Sequence, residues 1–202
     1  MLALPHSGDS DANVPLRKKR DRGDRCLSRS QHFTDSRFES KVLDFKSLMN
    51  FQIRRAKPEE AGALTEIAHA AKRHWGYPEN WIQLWQADLT ITPEFIAESE
   101  VYVATNGDQI AGCCALTFTE QAAELEHMWI RPEHIGRGVG RALFNHVKGR
   151  ATELKIPAFE ISSDPNAEGF YERMGATRIG EVQSEIEGKP RALPRMKVNV
   201  RS

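Results

Sequence analysis

His134-Ile135-Gly136-Arg137-Gly138-Val139-Gly140-Arg141 decides how this chain is read. An extended run, Ala123–Ile130, precedes it. A helical pattern follows, in which Val139, Leu143, Val147 and Ala151 recur every four residues as one apolar stripe. A strand, then glycines, then a helix start aims backbone N–H groups at a ligand. The first N–H groups of a helix lack internal acceptors, and the macrodipole leaves that end partly positive. Glycine lets a ligand approach the main chain closely, and Arg137 and Arg141 add charge at the same place. The segment is therefore predicted to hold a phosphorylated ligand, in particular a diphosphate. A dinucleotide fingerprint, G-x-G-x-x-G, fails because Arg141 stands where it needs glycine and because the segment lies late in the chain. A Walker P-loop has no match. A loop that merely turns the chain into a helix, and a nucleotide-binding α/β domain, are the competing readings.

The next segment outward reads Ile161-Ser162-Ser163-Asp164-Pro165-Asn166-Ala167-Glu168-Gly169-Phe170-Tyr171-Glu172-Arg173-Met174-Gly175. It is a strand end, a turn at Asp164, Pro165 and Asn166, a short helix over 166–174 and a glycine stop. Together the two segments resemble the GNAT superfamily of N-acetyltransferases. That family carries R/Q-x-x-G-x-G/A on the strand-to-helix turn and N-x-x-A-x-x-F-Y-x-x-x-G farther on. Gly138 and Gly140 fill the first pattern; Asn166, Phe170, Tyr171 and Gly175 fill the second, with Ala167 close to its small-residue position. Ile135 departs from it, standing where the family usually has Arg or Gln. The resemblance spans residues 51–200 and implies a GNAT-like α/β acyltransferase fold. That fold is a mixed central sheet of about six to seven strands flanked by about four helices.

The resemblance also implies a chemistry: an acetyl-CoA-dependent N-acetyltransferase that moves acetyl to a primary amine by direct attack, without a metal. The coenzyme's diphosphate would rest on the main chain of Ile135, Gly136, Arg137, Gly138, Val139, Gly140 and Arg141. Its pantetheine arm would run like an added strand along Met128 and Ile130, with the Met128 N–H at the acetyl carbonyl. Asn166 would meet the coenzyme near its pantetheine or phosphates; its bland reading is an N-cap. Tyr171 would protonate the departing thiolate. The alternative is a non-catalytic acyl-CoA-binding sensor or partner domain of the same fold.

The acceptor must lose a proton to attack. For a lysine-like amine of pKa near 10.4, neutrality at pH 7 costs roughly 4.6 kcal/mol, so a base or water chain is needed. Strict strand alternation puts Glu124, Glu126 and Met128 on one face and Leu125, His127 and Trp129 on the other. Glu126, nearer the thioester contact, is the preferred base, with Glu124 second. His127 is expected to be a packed core group. Trp75, Tyr77 and Trp81, with Trp85, are expected to wall the acceptor pocket, together with a loop over 187–193. The acceptor is a small-molecule or peptide amine, its identity open; a homodimer is compatible with the resemblance.

Farther out, apolar spacing and turn residues give a strand at Phe51-Gln52-Ile53 and a helix starting at Pro58 with Leu64, Ile67, Ala68 and Ala71 buried. Helical pieces follow around Trp81 and after Thr92-Pro93. Strands at 101–103 and 110–118 join at Asn106-Gly107, and others fall at 158–161, 177–184 and 193–200.

The chain has 202 residues, 40% hydrophobic, with zero formal net charge. That suits one domain with a core and argues against a dedicated nucleic-acid binder. No apolar run approaches the length of a membrane span. Cys26, Cys113 and Cys114 form no C-x-x-C pair, which fits a reducing, cytoplasmic setting without disulfides or zinc. Residues 1–48 are charged and poor in apolar side chains, Arg17-Lys18-Lys19-Arg20-Asp21-Arg22 above all. They are expected to be a disordered tail, or to precede the true start at Met49, with the acetyltransferase domain over 49–202.

Overall fold

The computed structural model describes residues 51–118 and 122–200; the tail expected over 1–48 lies outside them. Seven strands form one sheet in the order β1-β2-β3-β4-β5-β7-β6. They are β1 (Gln52–Arg55), β2 (Glu100–Asn106), β3 (Gln109–Phe118), β4 (Ala123–Ile130), β5 (Ala158–Ser162), β6 (Thr177–Ile186) and β7 (Lys189–Asn199). Neighbours are antiparallel except β4 and β5, which run parallel. A parallel pair needs a crossover, and the helix after the glycine segment supplies it. The α/β class and the mixed sheet agree with the expectation.

Helices cover both faces. On one, α5 (Val139–Glu153) buries Val139, Leu143, Phe144, Val147 and Ala151 against Cys114, Leu116, Phe159, Ile161, Met196 and Val198. On the other, α1 (Ala61–His74) buries Leu64 and Ile67 against Val101, Val103, Cys113 and Ala115. Each fully buried aliphatic or aromatic side chain here stabilises the fold by about 1.5–3 kcal/mol. Adjacent Cys113 and Cys114 thus serve opposite cores, as strand alternation requires.

Six α-helical segments occur among the described residues, more than the four or so expected. The chain between α1 and β2 cannot sustain one long helix. Pro78 starts α2 (Glu79–Leu84), Trp85 leaves helical geometry before α3 (Gln86–Leu89), and Thr92-Pro93 starts α4 (Pro93–Glu98). The Thr92 hydroxyl caps α4 by accepting from the Phe95 N–H at 3.1 Å. Each short helix buries a single side chain, Ile82, Leu89 and Ile96 in turn. The sixth, α6 (Glu168–Arg173), follows a turn capped by Asp164.

Three details of the sheet differ from the sequence reading. The β2–β3 turn residues are Gly107 and Asp108, one position beyond Asn106-Gly107, with Gly107 at φ 59° in the first turn position. The loop expected over 187–193 is strand. Glu187 and Gly188, at φ 50° and 72°, make a two-residue turn between Ile186 and Lys189, the geometry whose twist suits a hairpin. Finally, strict alternation fails in β4. Leu116 faces Leu125 and Ala115 faces His127, so Glu126 is an extra residue without a partner on β3. Beyond this bulge Met128 and Ile130 share the α5-side core with Leu125, while Trp129 packs on the α1 side. Glu124, Glu126 and Met128 therefore do not share one face. No described helix is long and apolar enough to cross a membrane.

Candidate active site

β4 and β5 pair only at Ala123–Phe159 and Glu124–Glu160, and then part. The main-chain direction at that open edge follows from β3. Arg131 N–H donates to Ala111 C=O at 2.9 Å. In an antiparallel ladder, hydrogen-bonded and non-bonded residue pairs alternate. Cys113–Trp129 is then a bonded pair, and the N–H and C=O of Met128 and Ile130 point away from β3 into the gap. Main-chain groups of an unpaired edge are thus presented to whatever enters.

The gap opens into a cavity of about 1100 Å³. One end is the glycine segment. Gly136 (φ 78°) and Gly138 (φ 88°) hold left-handed backbone that other residues reach only at a cost. Gly138 immediately precedes α5, and no side chain caps that helix end, leaving its first amides for a ligand. A Cβ on Gly140 would lie 3.4 Å from the Phe170 ring, in van der Waals contact, so α5 and α6 meet at this position. Ile135, Gly136, Arg137, Gly138, Gly140 and Arg141 all line the cavity, and Val139 turns its side chain into the core. Arg173 and His134 also line this end. The His134 ring is 5% exposed, with neither nitrogen hydrogen-bonded.

Toward the other end the cavity is lined by Met128, Ile130, Glu126, Tyr171, Asn166 and Trp75. Tyr171 is 6% exposed and wedged between the rings of Phe170 and Phe144, at 5.2 and 6.0 Å between centroids. Burial, with Cys114 and Asp164 nearby, pushes its phenol well above the usual range, so it keeps its proton. Glu126 is exposed at the bulge. Glu124 does not line the cavity; its carboxylate accepts from the Ser162 hydroxyl at 2.9 Å. His127 is buried, which pulls its pKa down to about 4. Its Nδ1 accepts from the Trp129 indole N–H at 3.2 Å, and its ring meets Phe95 edge-on. It is a neutral packing group, as expected.

Tyr77 and Trp81 do not line the cavity either. They stand behind it in an aromatic cluster with Trp85, at 5.1–6.2 Å between centroids. Tyr77 reaches the wall through Asp164, donating to Oδ1 at 3.1 Å. Burial and Asp164 raise the Tyr77 phenol to about 12. Asp164 also receives Lys72 Nζ at 2.7 Å, both side chains being nearly buried. Burial opposes ionisation of Asp164, but Lys72 outweighs it and holds the carboxyl below its ordinary pKa. The Lys72 ammonium lies 5.0–5.4 Å from the rings of Tyr77, Trp85 and Trp129. Asn166 is not the cap expected of a bland reading: Asp164 is, accepting from the Asn166 N–H at 2.9 Å. The Asn166 amide group donates to Asp164 and Tyr77.

Lys72, Asp164, Arg173 and Trp129 were not singled out from sequence as site residues. Arg173 carried a signal, two positions after Tyr171. Lys72 and Asp164 carried none, being 92 positions apart.

Residues 79–188 match the family described as the Acetyltransferase (GNAT) domain. The chain is 28% identical over 145 residues to peptidyl-lysine N-acetyltransferase YjaB of Salmonella typhimurium, spanning 70% of this chain and 94% of that protein. The GCN5-related N-acetyltransferase of Rhodopseudomonas palustris superposes with TM-score 0.63 at 18% identity, over 74% of this chain and 95% of that one. The PaiA N-acetyltransferase of Thermoplasma acidophilum, solved with coenzyme A, gives 0.57 at 19%, over 75% and 99%. At these identities the two structural likenesses are of fold alone.

Proposed function

The chain belongs to the GNAT acetyltransferase family, and from that premise we propose that it transfers the acetyl group of acetyl-CoA to a primary amine by direct attack. The observation that carries this reading is the single cavity running from the uncapped α5 terminus, along the open β4 edge, to Tyr171.

The diphosphate rests on the amides from Ile135 to Arg141, with Arg137 and Arg141 adding charge. Met128 and Ile130 present main-chain groups to the pantetheine amides. The Met128 N–H meets the thioester oxygen, where a preorganised donor lowers the barrier by a few kcal/mol. Glu126, through water, takes a proton from the acceptor ammonium. The freed amine attacks the carbonyl carbon, a C–N bond forms, and the C–S bond breaks. Tyr171 gives its proton to the leaving sulfur, and the second proton, shed by the nitrogen as it becomes an amide, returns through water to the phenolate. The bulge at Glu126 supports its preference over Glu124, whose carboxylate is engaged by Ser162. Acceptors in reach of this reading are small amines and, by likeness to the peptidyl-lysine acetyltransferase above, peptide lysines.

Two measurements test it. Calorimetry should give a saturable heat for coenzyme A and acetyl-CoA; no heat with either would sink the proposal. Thiol release from acetyl-CoA across an amine panel should then identify acceptors.

A further inference from the structure

Most described arginines have a carboxylate: Arg54, Arg55, Arg73, Arg150, Arg178 and Arg195 each form an ion pair. The exceptions sort by place. Arg131 donates to the Ile110 carbonyl at 2.7 Å. Arg137, Arg141 and Arg173 line the phosphate end of the cavity. The remaining one, Arg191, is half-buried and does not itself line the cavity; it adjoins the wall, sharing the Tyr77 hydroxyl with the lining residues Asp164 and Asn166.

Arg191 is held but not neutralised. Its Cζ sits 4.7 Å from the Trp85 ring centroid, 5.5 Å from Tyr77 and 5.9 Å from Trp81. Its hydrogen bond is a long one, Nη2 to Tyr77 Oη at 3.4 Å. The two carboxylates that neighbour the cluster are committed elsewhere. Glu187 takes Asn80 Nδ2 at 2.7 Å and Trp81 Nε1 at 3.0 Å, and Asp164 takes Lys72. A guanidinium stacked on aromatic rings keeps its planar N–H fork free for an oxyanion.

The register locates the residue. Pairing of β5 with β7 ends at Ser162–Arg195. Arg191 is four residues farther along β7, so its side chain shares the face of Arg195, about 13 Å beyond it. That face also carries Ser162 and, through it, Glu124. The direction is the one in which β4 runs from Glu126 to Ile130, past the point where β5 stops. Tyr77 links the guanidinium to Asp164 and Asn166, both on the cavity wall.

We propose that Arg191 receives a carboxylate of the acceptor, so that the substrate is a small amine also bearing a carboxylate, an amino acid or close analogue. The inference rests on the acetyl-transfer reading above and narrows its acceptor. The substrate's cationic end then faces Glu126, and its anionic end faces Arg191.

The test compares free amino acids with the matching amines that lack the carboxylate: lysine with cadaverine, phenylalanine with phenethylamine, methionine with 3-(methylthio)propylamine. Wild type should favour the carboxylate member by about tenfold or more in kcat/KM. Arg191→Gln should erase that preference through KM, leaving the KM for acetyl-CoA unchanged, and Arg191→Lys should restore part of it. A second readout needs no turnover. Tryptophan fluorescence titrated with N-acetylamino acids and with their amides should give tighter binding of the acids, in wild type only. Equal binding of acid and amide, a wild-type preference for the decarboxylated amines or for carboxylate-free lysine peptides, or an unchanged preference in Arg191→Gln would each overturn the inference. If acetyl-CoA binds and amines are acetylated without regard to their carboxylates, only this inference falls. Absent coenzyme binding would instead remove the reaction itself.

Discussion

Tyr171 keeps its proton because its hydroxyl has left water, and that is what a general acid for a thiolate requires. Replacing it tests the assignment cleanly, since the rings of Phe144 and Phe170 keep a phenylalanine ring in place. Tyr171→Phe is expected to lower kcat by about 10²-fold or more while calorimetry gives an unchanged coenzyme A affinity. His127 makes a different prediction. Its imidazole titrates near 6.5 when unfolded and near 4 when folded. Protons therefore favour the unfolded chain between those values. The stability is present above pH 6.5 and is lost as pH falls from 6.5 to 4, about 3 kcal/mol in all. Urea unfolding at pH 7.5, 5.5 and 4.5 measures the slope, and His127→Gln should flatten it. Sequence placed both residues, because a family tyrosine and a histidine amid apolar neighbours are local signals. Glu126 was half legible: its position was readable, but the bulge that isolates it depends on which β3 residues face it.

Among the elements, α5 and α6 meet at Gly140, where a Cβ would just touch Phe170 and a branched side chain would reach farther. A valine there would push against Phe170, and with it the turn that carries Tyr171. Gly140→Val is expected to cost about 1–3 kcal/mol of stability and to depress kcat more than coenzyme affinity, as denaturant melts and steady-state kinetics would register. The glycines were legible because their demands on backbone and approach are local. The β6 and β7 strands were legible over 177–184 and 193–200, but not their continuation through 189–192 to the turn. Pro190 and Pro194 argue against strand, yet Pro194 takes part through its carbonyl, which accepts from the Ser163 N–H at 2.8 Å, and Pro190 sits beside the turn, where a missing N–H is tolerated. In the 79–98 segment the start at Thr92-Pro93 was legible, whereas the break at Trp85 that divides 79–89 into two helices was not.

At the scale of the whole molecule, Lys72 and Asp164 tie the end of α1 to the loop between β5 and α6. Removing one partner strands a nearly buried charge. Asp164→Ala is expected to destabilise by about 3–5 kcal/mol, and Lys72→Met with Asp164→Leu to recover much of that loss; chemical denaturation of the single and double variants decides. No sequence pattern could announce this pair, since only the folded sheet brings its ends together.

The two-rung junction of β4 and β5 has a consequence for folding itself. Four strands on one side and three on the other are zipped by a pair of residues each, so the free enzyme is close to two half-sheets sharing a seam. A thioester lying in that seam would supply the missing rungs and act as an eighth strand. Occupancy then becomes part of the protein's own stability, worth about 2.7 kcal/mol at a hundredfold excess over Kd, and starvation for the coenzyme would loosen the enzyme as well as idle it.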